Sequence, residues 1–392
     1  MALSSVRVLE LAGKYPSSLC GMILADFGAQ VIRVAWDQKV MFEFVNRGKQ
    51  SLALNLNTPE GAVVLEKLCL QADVLVDPVP GGVLGPGKLL PEDMLQKNPR
   101  LVHVKVSTEM KLSSRYSQSR GHDINFLALS GVLSTFGRKH EKPYVPPNFL
   151  ASSAGGFLGA FGTVMALFER AQSGRGQTVD TNVIESTAYA SSVLWYLQKM
   201  NNLNGVKVDI LLDGSAPFYG TYQTSDGKFM AVGAFEAHLY ELFLKGLGLD
   251  PSKLPKQLSW PDWPRLKTLF ADIFAKKTQA EWCKVFGELD ACVTPVLTAE
   301  DISQLAKEER GTSFITDQQQ VIAPMPVPFF SKTPASVPST RSAVLGEHSE
   351  EILRGYGFSK QEIARLHVSG IIKSQIGTKD RGLDIPPLEE ST

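Results

Sequence analysis

The chain has 392 residues, 43% of them apolar, and its 40 Lys and Arg are balanced by 40 Asp and Glu. That length supplies two or more domains with ample material for a buried core. The charge balance excludes a global field for nucleic acid or an anionic membrane, and leaves room only for a local basic site such as one for a phosphorylated small molecule.

The cysteines Cys20, Cys69, Cys283 and Cys292 are scattered without a CxxC, so they read as reduced core thiols of an intracellular protein and not as a disulfide frame or zinc site. Met1 to Leu9 leads directly into a strand-like pattern, with neither the apolar core of a secretory signal nor an Arg-rich amphipathic transit helix. Leu388 to Thr392 is not an SKL-type peroxisomal address.

The first 110 residues alternate strands and helices. Val6 to Leu11 is an apolar run, and Ser17 to Phe27 reads as a helix ended by Gly28. Strands follow at Gln30 to Ala35 and Ser51 to Leu56. The helix Pro59 to Gln71 leads to the strand Val74 to Val76, and the helix Pro91 to Gln96 to the strand Leu101 to Val106. Repeated βα units predict an α/β fold with a doubly wound, largely parallel sheet. Sites in such sheets lie at the carboxyl ends of the strands.

Residues 120–200 read as helices: His122 to Phe136, Ser152 to Gln172, and Asn182 to Met200. Phe149 to Phe168 carries no charge and has the length of a membrane span. Its serines, its glycines (Gly155, Gly156, Gly159, Gly162) and its lack of flanking belts favour a buried helix instead. After the polar stretch Asn201 to Lys207, Tyr219 to Gln223 and Lys228 to Gly233 flank an Asp226-Gly227 turn signal. Helices follow at His238 to Gly246, Trp263 to Ala275 and Thr278 to Phe286, giving a separate α+β domain with Trp260, Trp263 and Trp282 as packing residues. Pro324 to Pro338 reads as an extended linker. Helices at Ser349 to Gly355 and Ser359 to Leu366 then precede a polar tail, expected to be disordered from about Thr378.

The chemistry-bearing residues begin with Gly121-His122-Asp123-Ile124-Asn125-Phe126, followed by Ser152 at the start of the glycine-rich helix. Taken alone, His122 is as readily an ordinary capping or core histidine. The ordered set of motifs changes that. Leu24-Ala25-Asp26-Phe27-Gly28-Ala29, Asn46-Arg47-Gly48-Lys49, Gly121-His122-Asp123-Ile124-Asn125, Gly174-Arg175-Gly176-Gln177, Ala291-Cys292-Val293-Thr294-Pro295 and Gly346-Glu347-His348-Ser349 occur in one order along the chain. This order resembles the CoA-transferase family III, and within it the racemase branch acting on 2-methyl-branched acyl-CoA thioesters in lipid metabolism.

The resemblance implies an interlocked homodimer with a Rossmann-like large domain and a smaller α+β domain. The implied parts are 1–185 (large, CoA-binding), 186–224 (linker helix and crossover), 225–310 (small domain), 311–377 (return and completion of the large domain) and a tail at 378–392. It implies no permanently bound cofactor, coenzyme A entering as part of the substrate. It also implies a peroxisomal or mitochondrial setting. His122 is then one of two bases flanking the α-carbon, Glu236 supports it from the small domain, and an aspartate would stand at Ser152. Coenzyme A is expected against Arg33, Trp36, Arg47, Lys49, Leu54, Asn55, Leu56 and Asn57, and against Gly121, Asp123, Ile124, Asn125 and Phe126.

The physical logic holds independently. Abstracting a weakly acidic C–H needs a base of near-neutral pKa, which imidazole provides, and the enolate needs donors such as the N–H groups of a helix start. Cations near a helix start suit phosphates. On the residues alone, Glu236 is as well a surface carboxylate, Lys49 a solvated cation, and His348 a helix-start residue.

Departures from the family pattern cluster at the site. Ser152 stands for the aspartate, and a hydroxyl lacks useful basicity near neutral pH unless activated. Asp123 does not substitute, because neighbouring helix residues point about 100° apart. Ala35-Trp36-Asp37 lacks an acidic-then-Arg pair, and Asn55 and Asn57 stand for Asp and Lys. Ser107 to Ser114 replaces a glycine-rich loop, and Tyr15-Pro16-Ser17-Ser18 a Pro-Gly-Pro-like turn. The expectation is therefore an isomerase of reduced turnover, or else a non-catalytic CoA-thioester-binding or dimerisation paralogue. CoA transfer between acids fits less well, since its nucleophile is also an aspartate in this region.

Overall fold

The computed structural model describes residues 1–36, 43–78, 91–109, 116, 121–138, 141–200, 212–308, 314–316, 322–335 and 341–374. The expectations for Asp37, the loop residues 110–114, the stretch 201–207, Pro338 and the tail from Thr378 fall outside these residues. Two compact units emerge: Met1–Glu109 with Ser153–Val183 and Pro326–Thr392, and Met110–Ser152 with Ile184–Met325.

The first unit is built on a seven-stranded sheet of β1 (Arg7–Leu11), β2 (Gln30–Ala35), β3 (Gln50–Leu54), β4 (Val74–Asp77), β5 (Val102–Ser107), β6 (Thr178–Asn182) and, from the far end of the chain, Ile372–Lys373. The spatial order is Ile372–Lys373, β3, β2, β1, β4, β5, β6. All pairings are parallel except the last-made strand, which runs antiparallel to β3 with Ile372 opposite Leu54. Strand order reverses between β1 and β4. The strands are apolar along their length because both faces are covered.

On one face Leu9, Leu11, Ile32, Val34, Leu52, Leu54 and Leu75 pack with α2 (Pro59–Cys69) and with Ile352, Leu353, Ile363 and Leu366 of the C-terminal helices Ser349–Gly355 and Lys360–Val368. On the other, Val8, Val31, Val74, Val76, Val102, Val104 and Val106 meet Cys20 and Leu24 of α1 (Tyr15–Asp26) and Ala160 and Ala166 of a long helix, Leu150–Ser173. That long helix lies close because of its glycines: a Cβ at Gly156 would stand 2.8 Å from Pro16 O and 2.9 Å from Leu19 Cβ. Its opposite face leaves Phe157, Phe161, Val164, Met165 and Phe168 exposed, so the helix is only half buried.

In the second unit, the expected helix from His122 to Phe136 is broken. It runs as α4 (Asp123–Leu129), stops where Gly131 takes φ 80°, and resumes as a 3₁₀ turn at Val132–Thr135. The long helix Leu150–Ser173, α5, belongs from Ser153 on to the first unit, and the next expected helix divides into α6 (Val183–Ala190) and α7 (Ser192–Met200). β7 (Tyr219–Gln223) and β8 (Phe229–Gly233) form the expected hairpin, with Gly227 at φ 78° in its turn, and β9 (Val293–Pro295) adds an antiparallel edge. A separate two-stranded ladder pairs β10 (Phe314–Thr316) with β11 (Ile322–Pro324). The core of this unit is aromatic, with Phe218, Tyr222, Phe243, Phe270, Phe274, Trp263, Trp282 and Phe286 buried together. Trp263 and Trp282 donate their indole N–H groups to Gln257 O and Phe274 O. Trp260 does not join them: it is 47% exposed, because its short 3₁₀ turn (Trp260–Asp262) buries no residue.

Candidate active site

His122 stands immediately before α4, in extended conformation, and is exposed. Its backbone is held at the turn: its N–H donates to Asn125 Oδ1 at 3.0 Å, and its carbonyl accepts from the N–H groups of Asn125 and Phe126. Phe126 and Leu127 bury the underside of this short helix, while Ile124 and Asn125 face solvent. Gly121 is half buried.

Asp123 is the residue whose role the sequence did not show. It is buried, and its carboxylate reaches the start of α5: Oδ1 accepts from Ser152 N–H at 2.8 Å and Oδ2 from Ala151 N–H at 3.4 Å. These are donors that a helix start otherwise leaves without an intrahelical partner. Just ahead of them Phe149 takes φ 49°, a left-handed conformation unusual for an aromatic residue, which sets the entry of the chain into α5. Positions 122 and 152 thus lie on helix starts joined by one carboxylate. Ser152 itself is buried at 6% exposure. Glu236 belongs to the same unit but caps the helix Ala237–Gly246 from an exposed position, and among the described residues no hydrogen bond joins it to His122.

The residues expected against the nucleotide lie in the first unit, and several are committed to the fold. Arg47 forms a two-pronged ion pair with Asp26, Nη2 to Oδ2 at 2.7 Å and Nε to Oδ1 at 3.1 Å, both side chains buried. Lys49 Nζ lies 2.7 Å from Glu10 Oε2 and donates to Ser18 O at 2.8 Å. Burial pushes the Glu10 carboxyl up and the Lys49 ammonium down, each opposed by the other's charge. Arg33 is buried beside them, its Cα opposite that of Glu10 across the β1–β2 ladder. A Cβ at position 21 would sit 1.7 Å from Glu10 Oε2, which is why a glycine stands there.

The Asn46-Arg47-Gly48-Lys49 motif is therefore a buried clamp across α1, with Arg47 held by Asp26 and Lys49 by Glu10. The signal was present in the sequence: Glu10 interrupts the apolar run of β1, and a buried carboxylate requires a cation.

Leu54 points into the core of the sheet, and Leu56 packs against it. Asn55 caps locally, its Oδ1 accepting from Asn57 N–H and its carbonyl from Thr58, which in turn caps α2. Trp36 differs from all of these. It directly follows β2 at the carboxyl edge of the sheet and carries Lys373 Nζ 3.8 Å above its ring centroid. At the start of α1, Tyr15 brings its hydroxyl within 3.4 Å of Ser153 Oγ.

The sequence pattern of the CoA-transferase family III matches residues 3–349. The chain belongs to that family. Among family relatives, it is 50% identical over 375 residues to the alpha-methylacyl-CoA racemase of Mus musculus, covering 95% of this chain and 98% of the relative. Against the human alpha-methylacyl-CoA racemase the identity is 48% over 376 residues, with the same coverage of 95% and 98%. A crystal structure of a CaiB/BaiF family protein from Brucella suis superposes with a TM-score of 0.74 at 22% identity, covering 90% of this chain and 98% of the other. That likeness establishes the α/β family fold with its mostly parallel sheet.

Proposed function

We propose that this family member acts at the α-carbon of 2-methyl-branched acyl-CoA thioesters, with His122 as the proton-transferring base. The observation that carries the reading is the juncture of α4 and α5. An exposed imidazole stands on one helix start, and position 152, where the resemblance implies the second base, stands on the start that Asp123 ties to it. The high identity to named racemases over nearly the full length supports the substrate class.

The chemistry follows from the groups present. As the α-C–H bond breaks, an N–H bond forms on the imidazole and the electron pair moves to the thioester oxygen, where first-turn amides of α4 can donate. Return of that proton from His122 restores the starting configuration. Inversion requires a donor at the opposite face, and the Ser152 hydroxyl is a poor one. Exchange with retention should therefore outrun inversion.

Incubating the chain with 2-methylacyl-CoA in deuterated water, and measuring label uptake and inversion separately, tests this. Ser152→Asp should raise inversion by about 10²-fold or more, the usual contribution of a positioned acid–base group. Inversion as fast as exchange in the unaltered chain would sink the reading of Ser152. No exchange in either chain would favour a CoA-thioester binder or dimerisation partner without turnover, a reading that the loss of the acid also favours.

For the nucleotide end of coenzyme A, Lys373 above Trp36 is a candidate cation among the described residues. The exposed apolar face of α5 supports a homodimer, because a face of this kind calls for a covering partner. A peroxisomal or mitochondrial setting is part of the same proposal, and cell fractionation tests it.

A further inference from the structure

We propose that Asp123 is a positioning residue that fixes Ser152 relative to His122. The inference rests on the function proposed above. α4 has only seven residues, too few to be stable through its own hydrogen bonds, so the orientation of His122 depends on anchors outside the helix. α5 has 24 residues and is fixed along its length by its glycine face. The Asp123 carboxylate joins the short element to the long one, with Oδ1 on Ser152 N–H and Oδ2 on Ala151 N–H.

Only an acid fits this role fully. Two amides at a helix start ask for two acceptor oxygens and favour a negative charge. Asparagine retains one acceptor; alanine retains none. The neighbouring left-handed Phe149 makes the junction depend further on the tie, since that conformation persists only where surrounding contacts hold it. Asp123 itself performs no proton transfer. Its carboxylate is occupied by α5, and its effect on the reaction passes through how firmly α4 holds His122 against the start of α5.

The test compares Asp123→Ala and Asp123→Asn in the full chain by three readouts. Amide hydrogen exchange at Ala151 and Ser152 should accelerate in the alanine variant and change little at Ser152 in the asparagine variant. The kcat for α-deuterium exchange should fall about 10- to 100-fold in Asp123→Ala, the cost expected of a sub-ångström to ångström misplacement, with KM nearly unchanged. Asp123→Asn should recover most of that loss. A folded Asp123→Ala chain with unaltered kcat, or with unaltered amide protection at Ser152, would overturn the proposal. So would an asparagine variant as damaged as the alanine one.

If the unaltered chain catalyses no exchange, the functional reading fails by itself. The tie is then judged by amide protection at Ser152, which should fall in Asp123→Ala and hold in Asp123→Asn. Protection that holds in both refutes the positioning role.

Discussion

A single carboxylate in the middle of an apolar strand separates the two kinds of charge in this chain. Glu10 and Lys49 are both buried and 2.7 Å apart, so each makes the other's burial tolerable. Lys49→Met should destabilise the chain by about 3–5 kcal/mol, because it strands a charge, whereas Glu10→Leu with Lys49→Met should recover most of that. Denaturant midpoints of the two variants measure the difference; equal losses would mean that the pair is not what holds α1. The same comparison explains how far the site was legible. Motif order names His122, Ser152 and Glu236 as candidates, but it does not show the ion pairs that bury Arg47 and Lys49. A sequence shows that a cation is present without showing which carboxylate reaches it. Asp123 was set aside on helix geometry, which forbids it from sharing His122's direction. That same geometry aims it at the next helix.

At the level of elements, hydrophobic period and turn residues carried most of the information. β2 and β7 span the residues expected of them, and the Asp226-Gly227 turn closes its hairpin. What was not marked was short or partnered at long range: β9 and Ile372–Lys373 have too few residues to show a period, and exist because a neighbouring strand offers its edge. Helix α5, uncharged from Leu150 to Phe168, is the opposite case, long enough to suggest a membrane span yet packed along one side on α1 through glycine. Its other side carries Phe157, Phe161 and Phe168 at 58%, 58% and 70% exposure. If that face meets a second copy, Phe161→Asp should shift the chain to monomer by burying a charge in an apolar interface. Sedimentation velocity reads the outcome, and an unchanged dimer would place the interface elsewhere.

The first unit is held by a segment far removed in sequence from the strands it completes. Ile352, Leu353, Ile363, Leu366, Ile371 and Ile372 are buried against the first strands. At about 1.5–3 kcal/mol each, their loss amounts to on the order of 10 kcal/mol, comparable with the entire stability of a typical domain. Truncation after Arg341 should therefore yield a chain without a cooperative thermal transition, which calorimetry would detect. A well-folded truncated chain would show that the last helices only decorate the sheet. The pairing of Ile372 with Leu54 also orders events in time. On the ribosome, the first three strands emerge early, but the flank of β3 stays open until almost everything else has been translated. During that interval the nascent chain displays an unpaired apolar strand edge, the kind of surface that chaperones bind and that seeds aggregation. Yield in a cell should thus be governed by the protection of β3 during synthesis as much as by the stability of the finished fold.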